Sequence, residues 1–175
     1  MNSNTNTSLK WIAYARKSTE QEDKQTLSID AQKREIAELV AKRSFELTDL
    51  LWENKTAYKT GRTEFNKVLA RIENGEANAI VVYHLSRLAR NTADGGRIIY
   101  LMDEGKLKEI CTPTKSYINN ADDKFFLQIE FGMNKKSSDD TSAYVKRDIG
   151  SKLLKGEYPS YAPIGYLNID KNGRI

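Results

Sequence analysis

The stretch Trp11-Ile12-Ala13-Tyr14-Ala15-Arg16-Lys17-Ser18 starts as a buried strand and ends on a serine beside a guanidinium. Five uncharged residues, most of them large or β-branched, suit a strand covered on both faces rather than one half open to water. The run should leave the core over Arg16-Lys17-Ser18, which puts Ser18 just past the strand's carboxyl end. A serine hydroxyl is a weak nucleophile at neutral pH, so it matters only if neighbours activate it or neutralise the group it attacks. Arg16 has the charge for the second task.

Three further apolar runs lie at residues 45–52, 79–85 and 109–112, and each reads as a strand. Helical patterns separate them. Ile29, Ile36, Leu39 and Val40 repeat at helical spacing behind the cap residue Ser28; residues 63–73 carry Phe65, Leu69 and Ile72 up to Gly75; residues 92–104 carry Ile98, Ile99, Leu101 and Met102 up to Gly105. Strand and helix therefore alternate. The prediction is an α/β fold: a mostly parallel sheet of four to five strands, helices on both faces, and active groups at the strands' carboxyl ends. Ser18 follows the first strand, and Arg87 and Arg90 follow the third. Their spacing predicts two arginines on one side of the first turn of the next helix, near its positive end.

From residue 121 to about residue 155 the pattern becomes one long helix, roughly 50 Å at 1.5 Å per residue, too long for a small domain to cover. Phe126, Ile129 and Met133 lie on a stripe related to Val145, Ile149 and Leu153, while residues 135–140 are polar all round and Gly132 and Gly150 are weak points. Gly156, Pro159 and Pro163 end the helix and predict an extended linker.

Composition narrows the classes. With 175 residues, 39% hydrophobic and 30% charged, the chain suits one globular domain with a tail. The net charge of +4 is compatible with nucleic acid without establishing it. One cysteine, Cys111, allows no internal disulfide and suits a reducing, cytoplasmic setting. One histidine and one cysteine cannot make a Cys/His zinc site, and no Walker loop or dinucleotide fingerprint is present, so no metal or cofactor is expected. No apolar run reaches the ~18 residues of a membrane span.

Arg16, Arg87 and Arg90 around Ser18 would suit phosphoryl transfer without a metal, because guanidinium groups stay protonated and hold phosphoryl oxygens bidentately. Simpler readings stand beside this one. Ser18-Thr19-Glu20-Gln21 also fits a capping box, and Arg87 and Arg90 also fit a solvated helix face. His84 would serve a Ser-His-Asp hydrolase, yet the chain has no Gly-x-Ser-x-Gly elbow, and a strand-end role fits it as well.

Tyr14-Ala15-Arg16-Lys17-Ser18-Thr19, Leu27-Ser28-Ile29-Asp30-Ala31-Gln32 and Leu85-Ser86-Arg87-Leu88-Ala89-Arg90-Asn91, in that order, resemble the catalytic domain of the serine recombinases, the resolvase/invertase superfamily. Val145-Lys146-Arg147-Asp148-Ile149 and Ala162-Pro163-Ile164-Gly165-Tyr166 are similar to the long helix and linker of the large members, the phage integrases and transposon recombinases. The resemblance runs from Lys10 to Tyr166. It implies a nucleophile at Ser18 that forms a 5′-phosphoserine link to DNA, and phosphate-binding arginines at Arg16, Arg87 and Arg90. It also implies a glutamine near the active site at Gln32 and, at Arg62, a catalytic arginine on a mobile loop that also approaches the phosphate. Gln32 also reads as an ordinary exposed helix residue, and Arg62 as an ordinary loop charge.

The same resemblance implies double-stranded DNA attachment sites as substrate, a dimer that becomes a tetramer in synapsis, and a directionality factor as a further partner. Lys146, Arg147, Lys152 and Lys155 would run along the DNA backbone, and Phe126, Ile129 and Met133 would pair subunits. The implied organisation is a disordered leader at 1–9, a catalytic domain at 10–120, a long helix at 121–156, and at 157–175 a linker with the start of a truncated DNA-binding domain. Two departures stand out. Ser86 occupies a position where many relatives have aspartate, and Ala143-Tyr144 replaces a Glu-Arg pair on the long helix. The first leaves room for a catalytically inactive DNA-binding or regulatory relative.

Overall fold

The structure is a computed structural model and describes residues 8–17, 28–55, 61–160 and 162–167. Its elements run β1 (Lys10–Arg16), α1 (Ile29–Arg43), β2 (Glu46–Glu53), α2 (Thr63–Glu73), β3 (Ala79–Val82), α3 (Leu85–Leu88), α4 (Thr92–Asp103), β4 (Glu109–Cys111), β5 (Ser116–Ile118) and α5 (Ala121–Leu154). The sheet order is β2-β1-β3-β4-β5. The first three pairings are parallel and β4–β5 is antiparallel. Four strands fall where the hydrophobic runs predict them. The fifth returns through a tight turn in which Thr112 N–H donates to the Lys115 carbonyl at 2.9 Å.

Alternation along β1 builds two cores. Ile12 and Tyr14 point to one face, with Ile80 and Val82, and are covered by Phe65, Val68, Leu69 and Ile72 of α2 together with residues of α3, α4 and the start of α5. Trp11, Ala13 and Ala15 point to the other face, with Val81 and Cys111, and are covered by Ile36 and Leu39 of α1. Both faces are occupied, so every residue from Trp11 to Arg16 is buried and the strand carries no alternating polar pattern.

The helix boundaries follow local chemistry. Ser28 caps α1, its hydroxyl accepting from Ala31 N–H at 3.1 Å. At the other end Ser44 takes a left-handed conformation, and Phe45 then stacks on Trp11 with ring centroids 3.8 Å apart. Gly75 and Gly105, the predicted helix stops, have φ of 76° and 71°, which a side chain would strain.

The described residues fall into two compact units, divided between Lys136 and Ser137. Within the first, α5 lays Leu127 and Phe131 on the core, while Phe125, Phe126, Ile129 and Met133 stay exposed. Within the second, α5 ends at Leu154 and Gly156 reverses the chain with φ of 73°. Neither Gly132 nor Gly150, the predicted weak points, interrupts the helix. No helix among the described residues is long and apolar enough to cross a membrane.

Candidate active site at the carboxyl ends of β1 and β3

The chain passes from β1 to β2 on one side and returns to β3 on the other, with α1 and α2 on opposite faces. The carboxyl ends of β1 and β3 are therefore the topological switch point of the sheet, the place where α/β sheets bind ligands. Arg16 and the turn containing Arg87 both lie there.

The backbone of Arg16 organises this corner. Lys17 N–H donates to the Glu53 carbonyl at 3.1 Å on the β2 side, so the Arg16 N–H and carbonyl point the opposite way. On that side β3 pairing ends at Tyr14↔Val82. Gln32 takes the position the ladder has left: Arg16 N–H donates to its Oε1 at 3.3 Å, and its Nε2 donates to the Arg16 carbonyl at 3.0 Å. Arg87 Nη1 donates to that same carbonyl at 3.3 Å. Three segments distant in sequence thus converge on one oxygen. Gln32 is 1% exposed, so it is not an ordinary surface residue of α1. Arg16 and Arg87 are buried as well, and Arg16 Nη1 donates to the Lys55 carbonyl at 3.0 Å.

Arg87 and Arg90 do not share a helical turn. α3 is only four residues long, Ala89 is extended with φ of −144°, and Arg90 lies beyond it in the link to α4. Asn91 then caps α4 by accepting from Asp94 N–H at 2.8 Å. Arg90 is half-buried. Ser18, predicted as the nucleophile, lies outside the described residues, two positions past the end of β1.

Arg62 is no ordinary loop charge. It is 1% exposed at the start of α2, with its guanidinium over the Phe65 ring at 3.8 Å. Nη1 donates to the Arg87 carbonyl at 3.0 Å and to Tyr14 Oη at 3.1 Å. Nη2 donates to the Leu88 carbonyl and to Asp94 Oδ2, the latter at 3.0 Å. Tyr14 Oη donates in turn to Glu53 Oε1 at 2.6 Å. The Glu53 carboxylate accepts from Glu64 N–H and Phe65 N–H, both at 3.3 Å, and so caps α2 where Arg62 provides no side-chain cap. Burial pushes the Tyr14 hydroxyl well above the ordinary phenol range; the Arg62 charge opposes this and the bond to Glu53 adds to it. Tyr14 therefore stays a donor.

Tyr14, Glu53 and Asp94 are the members of this network that sequence reasoning misses. A tyrosine in an apolar run reads as core, and an aspartate in a helix's first turn reads as a partner of the helix dipole. Only the fold brings them together. His84 caps α3: its Nδ1 accepts from Ser86 N–H at 3.1 Å and lies 2.9 Å from Ser86 Oγ. A concavity of about 340 Å3 lies away from these arginines, lined by Gly95, Ile99 and Tyr100 of α4 with Phe131 and Gly132 of α5. The predicted DNA-facing residues Lys146, Arg147, Lys152 and Lys155 are all exposed.

The model of the resolvase N-terminal domain matches residues 11–158, from β1 through the whole of α5. The chain belongs to the resolvase family. This resolvase domain is similar in structure to the N-terminal catalytic domain of TP901-1 integrase, with a TM-score of 0.55 and 21% identity, over 74% of this chain and 97% of that one. It is also similar to a resolvase-family site-specific recombinase from Streptococcus pneumoniae, with a TM-score of 0.54 and 20% identity, over 84% of this chain and 99% of that one. The C-terminal catalytic domain of ISC1926 TnpA, an IS607-like serine recombinase, gives 0.50 at 17% identity over 60% and 70% of the two chains. No curated protein matches the chain. At these identities the solved structures establish the fold: this resolvase domain has the architecture of a serine recombinase catalytic domain.

Proposed function

We propose that this domain is the strand-cleaving part of a large serine recombinase acting on paired double-stranded DNA attachment sites. Ser18 Oγ attacks a phosphodiester phosphorus; the Oγ–P bond forms, the bond from phosphorus to the 3′-oxygen breaks, and that oxygen leaves as a hydroxyl with a proton replacing the one lost by serine. The 5′-phosphoserine ester retains the energy of the broken diester, so the reverse attack by a 3′-hydroxyl rejoins DNA without a nucleotide. Arg16, Arg87 and Arg90 would bind the scissile phosphate and offset charge developing on its oxygens, the task a metal ion performs elsewhere. Gln32 and Arg62 complete the proposed set by holding the backbone of Arg16 and Arg87, from which those ligands project.

The observation that carries this reading is the Arg16 carbonyl, which receives both Gln32 Nε2 and Arg87 Nη1. It ties the strand end that leads to Ser18 to the α3 turn, which bears Arg87 and runs on to Arg90. The rest of the proposal concerns assembly in the cytoplasm. Exposed Phe126, Ile129 and Met133 would pair subunits into dimers and, in synapsis, a tetramer. Lys146, Arg147, Lys152 and Lys155 would follow the DNA backbone, and a directionality factor would act on the assembled complex.

The test is covalent capture. Nicked duplexes tiled across the DNA flanking the coding sequence are incubated with the full chain and resolved under SDS. A DNA adduct that disappears with Ser18→Ala supports the recombinase. Bound DNA without an adduct under any condition would point instead to a regulatory relative, for which Ser86 in the aspartate position is the structural motive. Ester hydrolysis lost in His84→Ala would point to a hydrolase.

A further inference from the structure

We propose that Asp94 is a positioning residue for the cleavage reaction, acting through Arg62 on the backbone that carries Arg87 and Arg90. This rests on the recombinase reading above. Asp94 is 2% exposed, and its Oδ2 holds Arg62 Nη2 at 3.0 Å while accepting from Asn91 Nδ2 at 2.8 Å. Asp94 N–H is fixed in turn by Asn91 Oδ1. The carboxylate is therefore locked to the start of α4 on one side and grips the guanidinium on the other.

The same guanidinium also donates to the Arg87 and Leu88 carbonyls. Those two carbonyls belong to the short turn between β3 and Arg90, which α3 holds with only one helical turn of its own. So short a helix has little intrinsic stability. Arg62 is the clamp that fixes it from outside, and Asp94 sets where the clamp sits. A planar guanidinium directs its N–H groups in fixed directions. Moving its Nη2 away from Asp94 must rotate the donors aimed at Arg87 and Leu88, and with them the backbone from which two proposed phosphate ligands project. Asp94 itself lies against Arg62 and Asn91, and no contact with DNA is required of it.

The experiment measures single-turnover cleavage of the capture substrate by Asp94→Asn and Asp94→Glu in the full chain, on an ordinary scissile phosphate and on a neutral methylphosphonate. Wild-type protein must form the Ser18 adduct; if it does not, the recombinase reading fails before Asp94 is at issue. Given that adduct, Asp94→Asn should bind DNA as wild type does and cleave the ordinary phosphate about 10²-fold more slowly, the scale expected of a misplacement near 1 Å. On methylphosphonate, where less charge needs arginine, the defect should shrink to within about tenfold of wild type. A purely structural loss would lower both substrates equally, and that result overturns the proposal. If Asp94→Asn fails to fold, Asp94→Glu decides: it keeps the buried charge paired while displacing the guanidinium by one methylene. Folded Asp94→Glu that cleaves at the wild-type rate rejects the positioning role.

Discussion

Arg62 and Arg87 stand at the same end of one sheet, both shielded from water, and they are bonded differently. Arg62 is ion-paired to Asp94, lies on an aromatic ring and donates to three further oxygens drawn from β1 and the α3 turn. Arg87 Nη1 reaches a neutral carbonyl, that of Arg16. A carboxylate partner cancels most of a guanidinium's field. Burial alone therefore does not separate an arginine that holds a fold together from one placed to meet a phosphate. The cost of truncating each side chain does.

That contrast is broken or sharpened by truncating each side chain. Arg87→Ala should lower cleavage by about 10³-fold, the upper range for removing one preorganised donor of positive charge, with little change in thermal melting. Arg62→Met should instead lower stability by roughly 3–5 kcal/mol, because it leaves Asp94 as an uncompensated buried charge. Melting curves and single-turnover cleavage on both variants give the answer. Equal melting losses would show that Arg87 is as structural as Arg62. Normal melting of Arg62→Met would remove the ion pair from its place in the fold.

A smaller effect is expected at Gln32, where the two environments meet. Gln32→Ala deletes both side-chain bonds to the Arg16 backbone, and an unpaired buried N–H costs about 1–3 kcal/mol. The Arg16 carbonyl keeps Arg87 Nη1. Faster exchange of the Arg16 amide hydrogen, without global unfolding, is the expected signature. Unchanged protection there would mean that the sheet ladder, not Gln32, orders the end of β1.

Much of this is legible in the amino-acid sequence. The uncharged run ending at Ala15 gave β1, and Phe65, Leu69 and Ile72 gave α2 with the bounds observed, because packing faces impose a period that the chain displays. Ordered motifs gave Gln32 and Arg87, which meet at one carbonyl. The sheet of four to five strands is borne out, but the place of the fifth is not legible, because three residues after a proline-containing turn carry too little pattern to register. The position of Arg90 escaped because spacing of three implies one helical turn only while the helix continues, and Ala89 ends it. Tyr14, Glu53 and Asp94 escaped for a different reason. Their chemistry is contact chemistry: Glu53 is 39 residues from Tyr14 and Asp94 is 32 from Arg62, and no local pattern encodes such pairings.

The smallest expected effect separates His84 from both arginine environments. Burial holds its imidazole below the usual 6.5, the charges of Arg87 and Arg90 push the same way, and Glu130 of α5 opposes them. The unfolded chain therefore takes up the proton first as pH falls, so stability present above about pH 6.5 is lost progressively as pH drops toward the lower folded value. Protonation also removes the Nδ1 acceptor that caps α3. His84 is only partly shielded and keeps much of its surface in solvent, so screening keeps the effect small. His84→Asn retains a capping acceptor and cannot titrate. Its melting temperature should fall less than that of wild type between about pH 7 and pH 5. Parallel profiles for the two proteins would show that the α3 turn is held by the Arg62 clamp alone, with its histidine cap contributing nothing to the balance.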